Sequence, residues 1–99
     1  MTHIHLVRDH TKVTVVCRGH APGSVEACAA ISTLVQTAVS WAHTAGAVIY
    51  SEVLESGHAG ISFDAGPQGV TVFDLLHAGF VNLQHKYPQQ VWVLAEEII

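Results

Sequence analysis

The sequence predicts an α+β fold in which two helices pack on a mostly antiparallel sheet, with elements in the order ββαββαβ. Several segments alternate apolar and polar side chains, which is typical of strands with one buried face. Two longer segments repeat apolar residues at helical spacing. The chain has 99 residues, a length that suits one hydrophobic core. We therefore treat residues 1–99 as a single domain.

Two strands are predicted at the start of the chain. Residues 2–7 and residues 11–18 both alternate in the way that buries one face of a strand. The connection at Asp9 and His10 is short enough for a hairpin turn. The two strands should therefore pair antiparallel, with Cys17 on the inward face of the second.

The first helix is predicted over residues 25–43. A glycine- and proline-containing turn precedes it, Ser24 is a good N-cap, and Glu26 suits the positive end of the helix dipole. The helix should end near Gly46. Its predicted apolar side consists of Ala27, Ile31, Leu34, Val35, Ala38, Trp41 and Ala42.

The second half of the chain is predicted to contain two strands, a helix and a last strand. Residues 47–55 and 60–64 are predicted strands joined by a turn at 56–59. Residues 71–85 have helical spacing, with Gly79 expected where a neighbouring element comes close. Residues 90–98 alternate as a last strand.

Composition excludes several classes of function. Four basic residues stand against eight acidic ones, with no basic run, so the electrostatic footprint of a nucleic-acid-binding protein is missing. No apolar stretch approaches the roughly 20 residues of a membrane span. We therefore expect a cytoplasmic protein without nucleic-acid or membrane partners. The two cysteines should be reduced there and form no CxxC pair.

The histidines do not predict a metal site. His3 and His5, or Cys17 and His20 with Cys28, are conceivable zinc ligands, but no four-ligand spacing is present. The alternation of the first strand directs His3 and His5 to solvent. We expect neither a metal nor a cofactor.

The segment from His20 to Cys28 carries the chemically interesting pattern. Cys28 falls near the start of the first helix, where the helix dipole favours a thiolate, and His20 follows the second strand. An imidazole beside such a thiol activates it as a nucleophile. The alternative is a packed thiol, because Cys28 is in step with Ile31 and Val35, and cysteine is often buried. Spacing leaves both interpretations open.

Two motifs resemble the Prp (YsxB-like) ribosomal-processing cysteine proteases. They are Gly19-His20-Ala21 and the segment that begins Cys28-Ala29-Ala30 and continues to Thr37. Further similarity extends to the second helix and the last strand, at Leu75-Leu76, Gly79-Phe80, Tyr87-Pro88 and Val91-Trp92-Val93.

The resemblance implies a cysteine endopeptidase with His20 as base and Cys28 as nucleophile. It also implies a homodimer and a polypeptide substrate. That substrate would be the N-terminal extension of a large-subunit ribosomal protein or, for a phage-type member, a capsid or scaffold protein. The residues expected to bind it are Gly19, Ala21, Gly23, Ser24 and Ser32.

The chain departs from the family pattern between the two motifs. Its turn is shorter, and Val25 stands where the family commonly carries an acid, so no third catalytic acid is assigned. The alternative function is therefore a catalytically inactive protein with this fold that binds peptides in the same groove.

Overall fold

Strands and helices follow one another in the predicted order in the computed structural model, which describes residues 1–19 and 24–98. A short 3-10 turn, Gly66–Gln68, precedes the second helix. The elements are β1 (Thr2–Asp9), β2 (Lys12–Arg18), α1 (Val25–Thr44), β3 (Val48–Glu55), β4 (His58–Asp64), α2 (Gly69–Lys86) and β5 (Val91–Ile98).

Three boundaries differ from the predicted ones by two residues, and the others differ by one residue at most. β1 continues through Asp9, so the first hairpin turn is at His10 and Thr11 rather than at Asp9 and His10. α2 begins at Gly69 rather than at residue 71, because the 3-10 turn that contains Pro67 leads directly into it. β4 begins at His58 rather than at Gly60, because a turn at Ser56 and Gly57 suffices to reverse the chain. The predicted turn over 56–59 was therefore too long, and His58 belongs to a strand.

The strands form a five-stranded sheet in the order β3-β4-β2-β1-β5. All neighbouring pairs are antiparallel except β1 and β5, which run parallel with Thr2 opposite Val91. The sheet is thus mostly antiparallel, as predicted. β3 and β5 form its two edges.

The core lies between one face of the sheet and both helices. Alternate residues of the strands point to this face, and the apolar sides of α1 and α2 cover it. Burial of each large apolar side chain stabilises the fold by roughly 1.5–3 kcal/mol. The largest side chains buried there are Phe63, Phe73, Phe80, Ile4, Leu6 and Ile61.

The two helices lie against each other at Gly79. A Cβ atom at this position would stand 3.0 Å from Leu34 Cδ2, so the missing side chain gives α1 room to pack. The expectation that Gly79 marks a close approach is confirmed. No described helix is long and apolar enough to cross a membrane.

The other face of the sheet carries exposed apolar side chains. Trp92 is 47% exposed and Leu94 is 40% exposed. Register places them opposite His3 and His5, which are exposed as predicted. We call this surface, made by His3, His5, Trp92 and Leu94, the open face.

Candidate active site

A cleft of about 370 Å³ opens at one end of the sheet, between α1 and the β3–β4 hairpin. Cys28 and Ser32 line it from α1, and Gly19 lines it from the end of β2. Leu54 and His58 face it from the hairpin. The cleft therefore brings together segments that lie far apart in the sequence.

Ser24 determines where α1 begins. Its side-chain Oγ accepts a hydrogen bond from the Ala27 N–H at 3.1 Å, and its carbonyl oxygen accepts one from the Cys28 N–H at 3.3 Å. The prediction that Ser24 is the N-cap is confirmed. This cap places Cys28 in the first turn of the helix, at the positive end of the dipole.

The two cysteines have opposite environments. Cys28 is exposed, whereas Cys17 is buried at 5% exposure. Ala27 points into the core, and one helical step of about 100° turns the next side chain away from it. The interpretation of Cys28 as a core cysteine is therefore wrong, and the same interpretation is right for Cys17.

Burial also makes Cys17 chemically inert. Desolvation disfavours the thiolate and raises the pKa of Cys17 from 9.0 to about 12. Cys17 still borders the floor of the cleft. Its protonated thiol contributes apolar surface there rather than a nucleophile.

Gly19 joins the end of β2 to the hairpin. Its N–H donates a hydrogen bond to the Gly57 carbonyl at 2.9 Å. Its φ is +92°, and an added Cβ would lie 2.6 Å from the Met1 carbonyl oxygen. Only glycine fits this position without strain.

Ser32 lies one turn after Cys28 on the same helix. Its Oγ accepts a hydrogen bond from Gln36 Nε2 at 3.1 Å, and both residues line the cleft. The structure thus brings Gly19, Cys28 and Ser32 to one cleft. Ser24 caps the helix that carries two of them.

The other predicted site residues lie outside the described residues. They are His20, Ala21 and Gly23. The pairing of His20 with Cys28 therefore stays a prediction.

Sequence reasoning missed the contribution of the β3–β4 hairpin. His58 lines the cleft together with Cys28, as do Leu54 and Glu55. A histidine directly after the Ser56-Gly57 turn was the only sequence signal. The assignment of His58 to that turn obscured it. In the parts of the chain that the structure describes, no three His, Cys, Asp or Glu side chains cluster as metal ligands.

Comparison with known proteins supports the fold assignment. No protein-family model and no curated protein matches the chain. Among solved structures, SMU.848 from Streptococcus mutans is similar, with 21% identity, a TM-score of 0.73, and 99% of each chain covered.

Two peptide complexes of the essential ribosomal processing protease Prp from S. aureus also match. The complex with a covalently linked product peptide has 16% identity and a TM-score of 0.77, over 96% of this chain and 99% of that one. The complex with a substrate peptide has 11% identity and a TM-score of 0.60, with the same coverage. The fold of the chain is thus that of the Prp proteases, as the resemblance implied.

Proposed function

We propose that the chain is a Prp-like cysteine endopeptidase in which Cys28 is the nucleophile and His20 the general base. The observation that carries this proposal is the exposed position of Cys28 in the first turn of α1, where it lines a cleft of about 370 Å³. The dipole of α1 favours a thiolate at that end. The Prp fold, seen elsewhere with bound peptides, supports a peptide as the ligand.

In the proposed reaction, the Cys28 thiolate attacks the carbonyl carbon of the scissile peptide bond. The tetrahedral intermediate collapses, the C–N bond breaks, and the His20 imidazolium donates its proton to the leaving amine. Water then attacks the thioester while His20 accepts a proton from it. The C–S bond breaks, which releases the new carboxylate and restores the thiolate.

The first turn of α1 would also stabilise the negative oxygen of the intermediate. The first N–H groups of a helix have no acceptor within the helix. Ser24 already accepts hydrogen bonds from Ala27 and Cys28. We assign the stabilisation of the oxyanion to the N–H groups of Val25 and Glu26, the two residues before Ala27.

The proposed substrate is the N-terminal extension of a large-subunit ribosomal protein. The S. aureus protein with this fold is a ribosomal processing protease that has been seen with bound peptides, which supports this choice. A phage-type member would act on a capsid or scaffold protein instead. We place the reaction in the cytoplasm.

We also propose that the protein is a homodimer. The open face supports this proposal, since Trp92 and Leu94 leave apolar surface exposed on the side of the sheet away from α1 and α2. A second copy of the chain would bury that surface.

Cleavage of the extended ribosomal protein, followed by mass spectrometry, tests the activity. Wild type should remove the extension, and Cys28→Ala should retain peptide binding without cleavage. Cys17→Ala is the matched control and should still cleave, because that thiol stays protonated. Binding without cleavage by the wild type would identify an inactive peptide-binding protein.

Replacement of His20 and of His58, each in turn, tests the assignment of the base. General acid–base catalysis contributes roughly 10²–10⁴-fold, so His20→Ala should lower kcat by about that factor. His58→Ala removes an imidazole that lines the cleft and should act mainly on KM. The reverse result would assign the base to His58.

A further inference from the structure

The wall of the cleft opposite α1 is the end of an edge strand. Leu54 and Glu55, the last residues of β3, line the cleft that contains Cys28. β3 is the outermost strand beside β4. An edge strand presents backbone N–H and C=O groups that no neighbouring strand pairs. The candidate active site therefore continues into a surface that can accept another strand.

The hairpin register shows which groups face outward. Glu55 and His58 close a two-residue turn, and Val53 pairs with Gly60. The closing pair of such a hairpin exchanges both backbone hydrogen bonds, and bonded pairs then alternate along the ladder. Glu52 and Leu54 consequently direct their N–H and C=O groups away from β4.

The available edge is short. The β3–β4 register shifts between Ile49 and Ser51, which marks a bulge or irregularity. Bulges interrupt regular strand pairing and bend the edge. Backbone N–H and C=O groups that point outward with regular strand spacing are thus limited to Glu52 and Leu54, next to the cleft.

The side chains along this edge suit an extended peptide. Leu54 is 54% exposed and pairs with Ala59, which places it on the helix-covered side of the sheet. Glu52 is held by His43 of α1, with Nε2 and Oε1 2.7 Å apart. Leu54 is therefore open to an apolar side chain of a ligand, on the same side of the sheet as the Glu52 carboxylate.

The geometry points to a substrate that binds as an additional β-strand on the outer edge of β3, pairing with Glu52 and Leu54. This inference rests on the proposed function, because it takes the added strand to be the protease substrate. Backbone pairing next to the cleft would deliver the following peptide bond to Cys28. Pairing with the backbone of β3 selects an extended segment, such as an unfolded terminal extension, over a helical one.

A tethered peptide tests this pairing without any need for catalysis. A five-residue peptide of alternating valine and threonine, ending in cysteamine, is joined by a disulfide to the exposed thiol of Cys28. Amide hydrogen exchange is then compared with that of protein carrying cysteamine alone. The amides of Glu52 and Leu54 should exchange about tenfold more slowly with the peptide. Those of Ser51 and Val53 are bonded to β4 in both samples and should not change.

Two controls isolate the backbone contact. A tethered peptide with N-methyl groups on alternate amides should give no protection. Leu54→Pro removes an N–H that β4 does not use, so the chain should fold, yet the peptide should no longer protect Glu52. Leu54→Ala keeps the N–H and should retain that protection. Circular dichroism checks that both variants are folded.

Equal exchange at Glu52 and Leu54 with the peptide and with cysteamine alone would overturn the pairing. Equal protection by the N-methylated peptide would do the same. Failure of the ribosomal protein to be cleaved would instead contradict the proposed activity, while the tethering result would still report on the edge.

Discussion

At pH 8, iodoacetamide should alkylate Cys28 of the native protein and leave Cys17 unmodified. Burial raises the pKa of Cys17 to about 12, so only about one Cys17 thiol in 10⁴ is ionised at this pH. An ordinary thiol has a pKa of about 8.5. Because the thiolate is the nucleophile, alkylation of Cys17 should be slower than that of an ordinary thiol by about 10³-fold. Its 5% exposure hinders the reagent further.

Intact-mass spectrometry against time measures this difference. Wild type should gain one adduct, Cys17→Ala should gain it at the same rate, and Cys28→Ala should gain none on that timescale. Both cysteines should react in guanidinium chloride. A second adduct on the native wild type within about tenfold of the first rate would refute the reasoning from burial.

The same assay at pH 8, applied to histidine variants, tests the proposed partner of Cys28. An imidazole that accepts the thiol proton activates the sulfur as a nucleophile, so His20→Ala should slow the alkylation of Cys28. His58→Ala should leave the rate of alkylation unchanged. Equal rates for wild type and His20→Ala would contradict the dyad.

Three further predictions concern stability and assembly. Ser24→Ala should lower the free energy of unfolding by about 1 kcal/mol through loss of the N-cap, as measured by urea titration. Ser40→Ala, at an exposed position in α1, is the control. Equal effects of the two substitutions would contradict the role of Ser24 as the cap. Burial raises the pKa of Cys17 from 9.0 to about 12, so the contribution of the protonated thiol to folding stability is complete below pH 9. Above pH 9 that contribution declines by up to about 1.4 kcal/mol per pH unit. The stability of wild type relative to Cys17→Ala should therefore fall over that interval, and a constant difference would contradict the pKa. Leu94→Glu should dissociate the proposed homodimer, which light scattering would show as a halved mass. Leu75→Glu, on the exposed side of α2, is the control and should leave the mass unchanged. A monomeric wild type would refute the dimer.

Local features of the sequence determined most of the secondary structure. Ser24 defines the start of α1 through a hydrogen bond only three residues along the chain. Strand alternation likewise predicted that Cys17 is buried. Such interactions depend on neighbours within about one turn or one strand, so the order of residues suffices to predict them.

Tertiary structure decided the exposure of Cys28 and the composition of the cleft. Helical spacing put Cys28 in step with Ile31 and Val35 and left a packed thiol and a nucleophile equally open. Only the packing of α1 on the sheet decided that Cys28 is exposed. The parallel pairing of β5 with β1 joins segments nearly a whole chain apart. Likewise, His58 and Leu54 reach the cleft only because the β3–β4 hairpin lies beside α1. The physical reason is that these placements depend on which distant surfaces are buried together, and residue spacing along one segment does not contain that information.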